Sequence, residues 1–298
     1  MKTTKPIVFI TGQSGMVGTA LTEFLSNKYH VHGLERSKSS AKNPSWNYRQ
    51  SLEKLGIDAP DIVIHLAGAG IADKRWNANY KQVIYDSRIN GTQWLVDEVL
   101  IHEQKPKLFL SASAIGFYGH RPGEVLTESA EAGTNFVAKI SKNWEKATTP
   151  LSQAGIRTVN MRFGMVLSQN GGALKEMLLP FKLGLGGRMG DGQQKYSWVA
   201  IEDVVHATHF LINNSNIDGV VNITSPHAVS NSEYTRYLAK ALNRPAFFHM
   251  PKPVVRLAFG EVADELLLAN AEVKPEKLVA AGYTFKQPQL KAFFEEIL

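Results

Sequence analysis

Thr11-Gly12-Gln13-Ser14-Gly15-Met16-Val17-Gly18 is the stretch on which the fold turns. Before it lies a short apolar run, Ile7-Val8-Phe9-Ile10. After it Val17, Ala20, Leu21, Phe24 and Leu25 recur at helical spacing on one face. A strand, a glycine turn and a helix therefore follow one another. Gly12 allows a sharp turn, Gly15 lets the backbone approach a ligand closely, and Gly18 lets the helix pack tightly on the strand. The free N–H groups at a helix start attract an anion such as a pyrophosphate. The spacing, G-x-x-G-x-x-G, is one residue longer than the commonest dinucleotide fingerprint, so the flanking strand and helix supply its specificity. The whole turn, Gly12, Gln13, Ser14, Gly15, Met16, Val17 and Gly18, is read as cofactor-binding.

Outward from the turn, further strands are predicted at Ile7–Thr11, His30–Leu34, Ile62–Leu66, Lys107–Ser111, Thr158–Phe163 and Val220–Thr224. Helical stretches separate them, one carrying Leu95, Val96, Val99 and Leu100. The alternation predicts an α/β fold: a doubly wound parallel sheet of Rossmann type. Glycines break up residues 166–196, which read as loops around one short helix, and after Pro226 the chain reads as short helices. The expected organisation is a nucleotide-binding domain of residues 1–165 plus roughly 197–225. A smaller, mostly helical C-terminal substrate lobe takes residues 166–196 and 226–298.

The chain has 298 residues, 44% hydrophobic and 20% charged, as expected of a globular protein. Cysteine is absent, which excludes disulfides, thiolate catalysis and Cys-ligated zinc. The nine histidines show no metal-ligand spacing. No run approaches the ~18–20 apolar residues of a membrane span, and Ile7–Ile10 is too short for a secretory core. The expectation is a cytoplasmic protein with no membrane partner. The net charge of +6 is scattered rather than blocked, with no nucleic-acid module beside it. It suits an anionic small molecule better than DNA or RNA.

The end of the second strand chooses between NAD and NADP, through a carboxylate for the ribose 2′-OH or an Arg for the 2′-phosphate. Here Glu35-Arg36-Ser37-Lys38 follows Leu34. Arg36, with Ser37 and Lys38 beside it, predicts NADP(H). The alternative makes Glu35 the selector and Arg36 a solvated charge.

At this point the chain resembles the extended short-chain dehydrogenase/reductase superfamily, in its NAD-dependent epimerase/dehydratase-like part. More narrowly it resembles a branch some of whose members carry labels mentioning cell-division inhibition. Besides the glycine turn, the resemblance rests on His65-Leu66-Ala67-Gly68, Ile71-Ala72-Asp73-Lys74-Arg75-Trp76, Ser87-Arg88, and Ser111-Ala112-Ser113-Ala114-Ile115-Gly116-Phe117-Tyr118-Gly119. It rests too on Arg162-Phe163-Gly164-Met165-Val166-Leu167 and the segment from Ser197 to Val204. It implies that Leu66, Ala67 and Gly68, closing a fourth strand, line the cofactor, with Ser87, Ser111 and Ala112 completing the set. Ser113, ending a fifth strand, matches the superfamily's catalytic Ser/Thr; the alternative is a buried structural hydroxyl.

Hydride-transferring members carry Tyr-x-x-x-Lys on the next helix, where the Tyr moves a proton and the Lys lowers its pKa. Aligned on Glu145, those positions hold Val137 and Ser141 here. Lys139 and Lys142 read as solvated helix charges. Tyr118, in a glycine-flanked loop, is a candidate substitute. Asp73, Lys74, Arg75 and Trp76 follow a strand's C-terminal end and could hold a small-molecule substrate. The alternative is a loop held by its own contacts with Trp76 packed beneath. His65 reads as structural. These residues point to an oxidoreductase or epimerase-like enzyme of unknown carbonyl or sugar-nucleotide-like substrate, or to a non-catalytic NADP(H) sensor. By analogy, a homodimer would form through residues near 80–100 and 136–150.

Overall fold

The computed structural model describes residues 5–35 and 46–298. Its six-stranded sheet is built from β1 (Ile7–Thr11), β2 (His30–Leu34), β3 (Ile62–His65), β4 (Leu108–Ala114), β5 (Arg157–Phe163) and β6 (Gly219–Ile223). Their order is β6-β5-β4-β3-β1-β2. β1 pairs in parallel with β2 and β3, and β3 with β4. All six predicted strands are present, with ends shifted by a few residues at most. Counted along the described residues, the strand closing at His65 is the third, not the fourth that the resemblance implied.

β1 and β3 are neighbours although β2 lies between them in sequence. The chain thus changes direction across the sheet at β1, and a crevice opens beyond the C-terminal ends of β1 and β3. The registers Thr11↔His65 and His65↔Ser111 bring those ends level.

The chain divides into two compact units. The first comprises Met1–Ser113, Ile140–Met161 and Thr208–Val220. Helix α1 (Met16–Leu25) follows the glycine turn, α2 (Tyr48–Leu55) leads to β3, and α3 (Ala78–Ile101) runs for 24 residues before β4. Asn77 caps α3 by accepting a hydrogen bond from the Tyr80 N–H. The core of this unit gathers Phe9, Leu34, Val63 and Phe109 from the sheet with Tyr48, Leu52, Leu95, Val96 and Val99 from the helices. Full burial of a side chain such as Phe9 stabilises by roughly 2–3 kcal/mol.

The second unit comprises Ala114–Lys139, Arg162–Ala207 and Val221–Leu298. This division departs from the expected lobes, and the two units are of near-equal length. Hydrogen bonds explain why residues near 118–128 belong with the C-terminal residues. The Tyr118 hydroxyl donates to Asn222 Oδ1, Asn222 Nδ2 donates to the Lys274 carbonyl, and Glu128 Oε1 accepts from the N–H groups of Asn222 and Lys277. Residues 166–196, expected as loops around one short helix, carry the helix Gly172–Lys182 and also the strand Gly187–Met189, which pairs in parallel with Phe248–Met250. The helix Asn231–Ala241 begins with a capping box: Ser230 Oγ accepts from Glu233 N, and the Glu233 carboxylate accepts from Ser230 N. Its apolar face joins Trp198, Leu290, Phe293 and Phe294 in the core of the unit.

Candidate nucleotide-binding site

A cleft of about 1060 Å³ lies at the predicted turn. It is lined by residues 12–15, by residues 33–35 at the end of β2, by Trp46, by residues 66–69 after β3, and by Asn79, Gln82, Val83, Asp86, Ser87 and Asn90 of α3. Every part belongs to the first compact unit.

The backbone of the turn answers to its glycines. Gly12 has φ +71°, and the Gly15 N–H closes the turn on the Gly12 carbonyl at 3.0 Å. A Cβ on Gly12 would lie 3.0 Å from Ala67 N and Leu66 C, so the turn packs directly on the chain leaving β3. A Cβ on Gly18 would fall 2.2 Å from the Gly12 carbonyl oxygen, nearer than any real contact. Gly15 is the N-cap of α1 and brings no capping side chain. The first N–H groups of α1 are therefore left to an anion at the cleft. A cradle in which Gly12 and Gly18 leave no room for a side chain, placed at a helix N-terminus, fits a dinucleotide diphosphate.

Of the expected cofactor residues, Gly12, Gln13, Ser14, Gly15, Leu66, Ala67, Gly68 and Ser87 line the cleft. Met16, Val17 and Gly18 form the first turn of α1 behind it. Arg36, Ser37 and Lys38 lie outside the described residues. Ser111 and Ala112 are buried within β4, where Ser111 Oγ donates to the Ala112 carbonyl, and they are not among the lining residues.

Several lining residues were not legible in the sequence. Trp46 is buried and packs edge-on against His65, their ring centres 5.1 Å apart. Gln13 lies over β2, so that a Cβ on Gly33 would fall 1.7 Å from its Oε1. That glycine needed the tertiary structure to be noticed.

His65 has the structural role expected of it. It is fully buried between Thr11 and Thr92, with Nδ1 2.7 Å from Thr11 Oγ1 and Nε2 2.9 Å from Thr92 Oγ1. Thr11 Oγ1 already accepts from the N–H groups of Leu66 and Ala67, so its proton goes to Nδ1. The imidazole is thus the Nε2–H tautomer and donates to Thr92, which also accepts from Trp144 Nε1. Burial pushes its pKa down to about 3. The unfolded value is about 6.5, so unfolding takes up a proton below that pH. Stability is full above pH 6.5 and falls as the pH drops from there toward 3. Between pH 7 and pH 5 the His65 contribution falls by about 2 kcal/mol, at ~1.36 kcal/mol per pH unit. The check is the His65 ring signal in an NMR pH titration. It should stay neutral down to pH 5; titration near 6.5 would contradict the assignment.

Ser113 is buried, and its Oγ donates to Glu145 Oε1 at 2.6 Å. The hydroxyl proton is thereby directed at helix α4 (Phe136–Lys146), and its lone pairs can still accept. Val137 and Ser141 on the same helix are buried, whereas Lys139 and Lys142 are exposed, as solvated charges should be. Within the second unit, Tyr118 is 0% exposed, accepts from Arg162 Nη1 at 2.9 Å and donates to Asn222 at 2.8 Å. Burial raises its pKa, with Arg162 opposing. A phenol held in that way is packed as a structural residue, unlike the loop group expected of it.

The loop after β3 carries the polar tetrad Asp73-Lys74-Arg75-Trp76. Trp76 is buried and its Nε1 donates to the Ile71 carbonyl at 2.7 Å. The Asp73 carboxylate folds back to within 2.1 Å of where a Gly70 Cβ would stand. Lys74 and Arg75 are exposed. The loop is held by its own contacts, with Trp76 beneath. No metal-ligand cluster occurs among the described residues. None of the helices among them is long and apolar enough to cross a membrane.

Strand order, switch point and glycine cradle together define an α/β protein of Rossmann type with a nucleotide cleft. The chain belongs to the NAD dependent epimerase/dehydratase family, which it matches over residues 8–224. Residues 250–297 match a domain of unknown function (DUF1731). Among curated relatives it is 38% identical over 282 residues to Epimerase family protein Mb2239 of Mycobacterium bovis, covering 94% of this chain and 93% of that one. It is 38% identical over 294 residues to Epimerase family protein SH2119 of Staphylococcus haemolyticus, covering 97% and 98%. Among solved structures, human epimerase family protein SDR39U1 (isoform2) with NADPH superposes with a TM-score of 0.88 at 30% identity, covering 98% of both chains. The UDP-glucose 4-epimerase of Thermus thermophilus in complex with NAD shares the fold, with a TM-score of 0.71 at 18% identity, covering 98% of this chain and 100% of that one.

Proposed function

We propose that this chain binds NADP(H) in the cleft at residues 12–15 and 66–69 and acts as an oxidoreductase or epimerase-like enzyme on a small carbonyl or sugar-nucleotide-like substrate. The observation that carries the reading is the glycine cradle at the N-terminus of α1, where Gly12 and Gly18 have no room for a Cβ. The NADPH in the human relative, 30% identical over nearly the whole chain, supports the phosphorylated cofactor. So does Arg36 after β2, where a 2′-phosphate would need it.

In this reading Gly12, Gly15 and the first turn of α1 hold the diphosphate, Leu66, Ala67 and Gly68 line the ribose side, and Arg36 selects the 2′-phosphate. NADP(H) supplies hydride transfer when bound. Ser113 Oγ, donating to Glu145, keeps a lone pair for a substrate hydroxyl and can hand a proton on to that carboxylate. Tyr118 is given no part in proton transfer, because its hydroxyl is held by Arg162 and Asn222. A second reading, a non-catalytic NADP(H) sensor, is favoured by one observation: buried Val137 and Ser141 stand where Tyr and Lys would be needed.

NADPH should raise the melting temperature more than NADH at equal concentration, and Arg36→Ala should abolish the difference. Equal stabilisation of the parent protein by both cofactors contradicts the choice of NADP. Stereospecific exchange of the nicotinamide hydride with a member of a carbonyl and sugar-nucleotide panel separates enzyme from sensor; tight NADPH binding without exchange establishes the sensor.

A further inference from the structure

Resting on the dinucleotide reading of the cleft, we propose that Arg88 is an oxyanion receptor beside the cleft wall formed by Gly68 and Ala69. Arg88 is on α3, directly after Ser87, and is half-buried. Its hydrogen bonds within the described residues both leave from Nη1, to the carbonyl oxygens of Ala69 at 2.9 Å and Ile84 at 3.4 Å. Nε and Nη2 keep their donors. A guanidinium presents five N–H groups in a fixed fork that matches a carboxylate or a phosphate.

Three further observations fix the fork in place. Its central carbon lies 5.1 Å from the centre of the Trp144 ring, so the indole supports it from α4. A Cβ on Gly68 would come within 3.3 Å of that carbon, so the guanidinium packs against a residue that lacks a side chain. Ser87 Oγ accepts from Ala69 N at 3.0 Å while Arg88 holds the Ala69 oxygen, so consecutive residues of α3 grip both sides of the cleft wall. Burial lowers the Arg88 pKa to about 10, with Tyr80 and Asp73 opposing; the group is still charged near neutrality. A partly desolvated cation whose hydrogen bonds reach only neutral carbonyls favours an anion at its open edge.

The oxyanion has two possible sources in such a cleft, a phosphate of the dinucleotide or a carboxylate of the substrate. Two titrations separate them. NADPH binding is measured by its fluorescence in the parent protein, Arg88→Gln, Arg88→Lys and Gly68→Ala. Malonate and oxamate are then titrated by calorimetry into each protein, with and without saturating NADPH. Melting curves establish that each variant is folded.

Loss of the fork should weaken one ligand on the order of ten- to hundredfold, the cost of one or two charge-assisted hydrogen bonds. Arg88→Lys should recover only part, because an ammonium lacks the fork, and Gly68→Ala should act in the same direction by displacing the guanidinium. A loss confined to NADPH assigns the site to the cofactor; a loss confined to malonate or oxamate assigns it to the substrate. Folded Arg88→Gln and Gly68→Ala proteins that bind NADPH like the parent, with no parent affinity for either carboxylate, overturn the proposal and leave Arg88 a clamp on Ala69. If the parent binds no NADPH, the dinucleotide reading fails instead, and the carboxylate titrations still decide on Arg88.

Discussion

Asp203→Ala should lower the unfolding free energy by about 3 kcal/mol, a large effect for a single side-chain truncation. Asp203 is 0% exposed and lies in the first turn of the helix Ile201–Asn213. Its Oδ1 accepts from the Tyr283 hydroxyl at 3.0 Å and the Lys286 N–H at 2.8 Å, and its Oδ2 accepts from the Gln287 N–H at 2.8 Å. One carboxylate thus holds the chain at 283–287 to that helix start, where the helix dipole also favours a negative charge. Truncation leaves two backbone donors and a phenol without their acceptor. Tyr283 feels the same proximity: burial and then the Asp203 charge raise its pKa. The melting temperature should fall by roughly 6–12 °C. Asp203→Asn, which keeps one strong acceptor but not the charge, should fall between the two. A loss below about 1 kcal/mol in Asp203→Ala would mean that water replaces the carboxylate, and the account fails.

The second large effect concerns the turn. Gly18→Ala should weaken NADPH binding by on the order of ten- to hundredfold and destabilise the fold by about 1–3 kcal/mol. The added Cβ would meet the Gly12 carbonyl at 2.2 Å, Gln13 Cα at 2.8 Å and the Gln13 carbonyl at 2.9 Å. All three are backbone atoms, so no side chain can rotate away, and the turn itself must move off α1. Gly15→Ala is the internal control. Its Cβ would meet only the Gly12 carbonyl, at 3.3 Å, so it should unfold near the parent temperature. Calorimetry on both variants with NADPH titration tests this; equal stability of Gly18→Ala and Gly15→Ala would show that the turn yields without cost.

β1 and β3 were legible because each is a short, nearly continuous apolar run, and burial on a parallel sheet favours that pattern. The glycine turn was legible because a strand end, a backbone cradle and a helix start are all local. Asp203 was visible only as part of a family-like segment, since its partners lie some eighty residues away along the chain. Gly33 carried no local signal either, because what forbids its side chain is Gln13 on another element. Tyr118 looked like a loop residue near glycines, and its burial against Arg162 and Asn222 reversed that expectation. In the polar tetrad, the burial of Trp76 and its hydrogen bond to the Ile71 carbonyl likewise had no local signal.

By itself, then, the amino-acid order determined the α/β alternation and the glycine turn at Thr11–Gly18. Those are properties of residue type and local spacing. Only the tertiary structure decided that His65 is a neutral pin between Thr11 and Thr92, that Ser113 is paired with Glu145, and that Arg88 presents an open fork beside Gly68. These depend on side chains that meet across strands and helices far apart in sequence. Hydrogen-bond direction, burial and the loss of solvation at those meetings have no local signature.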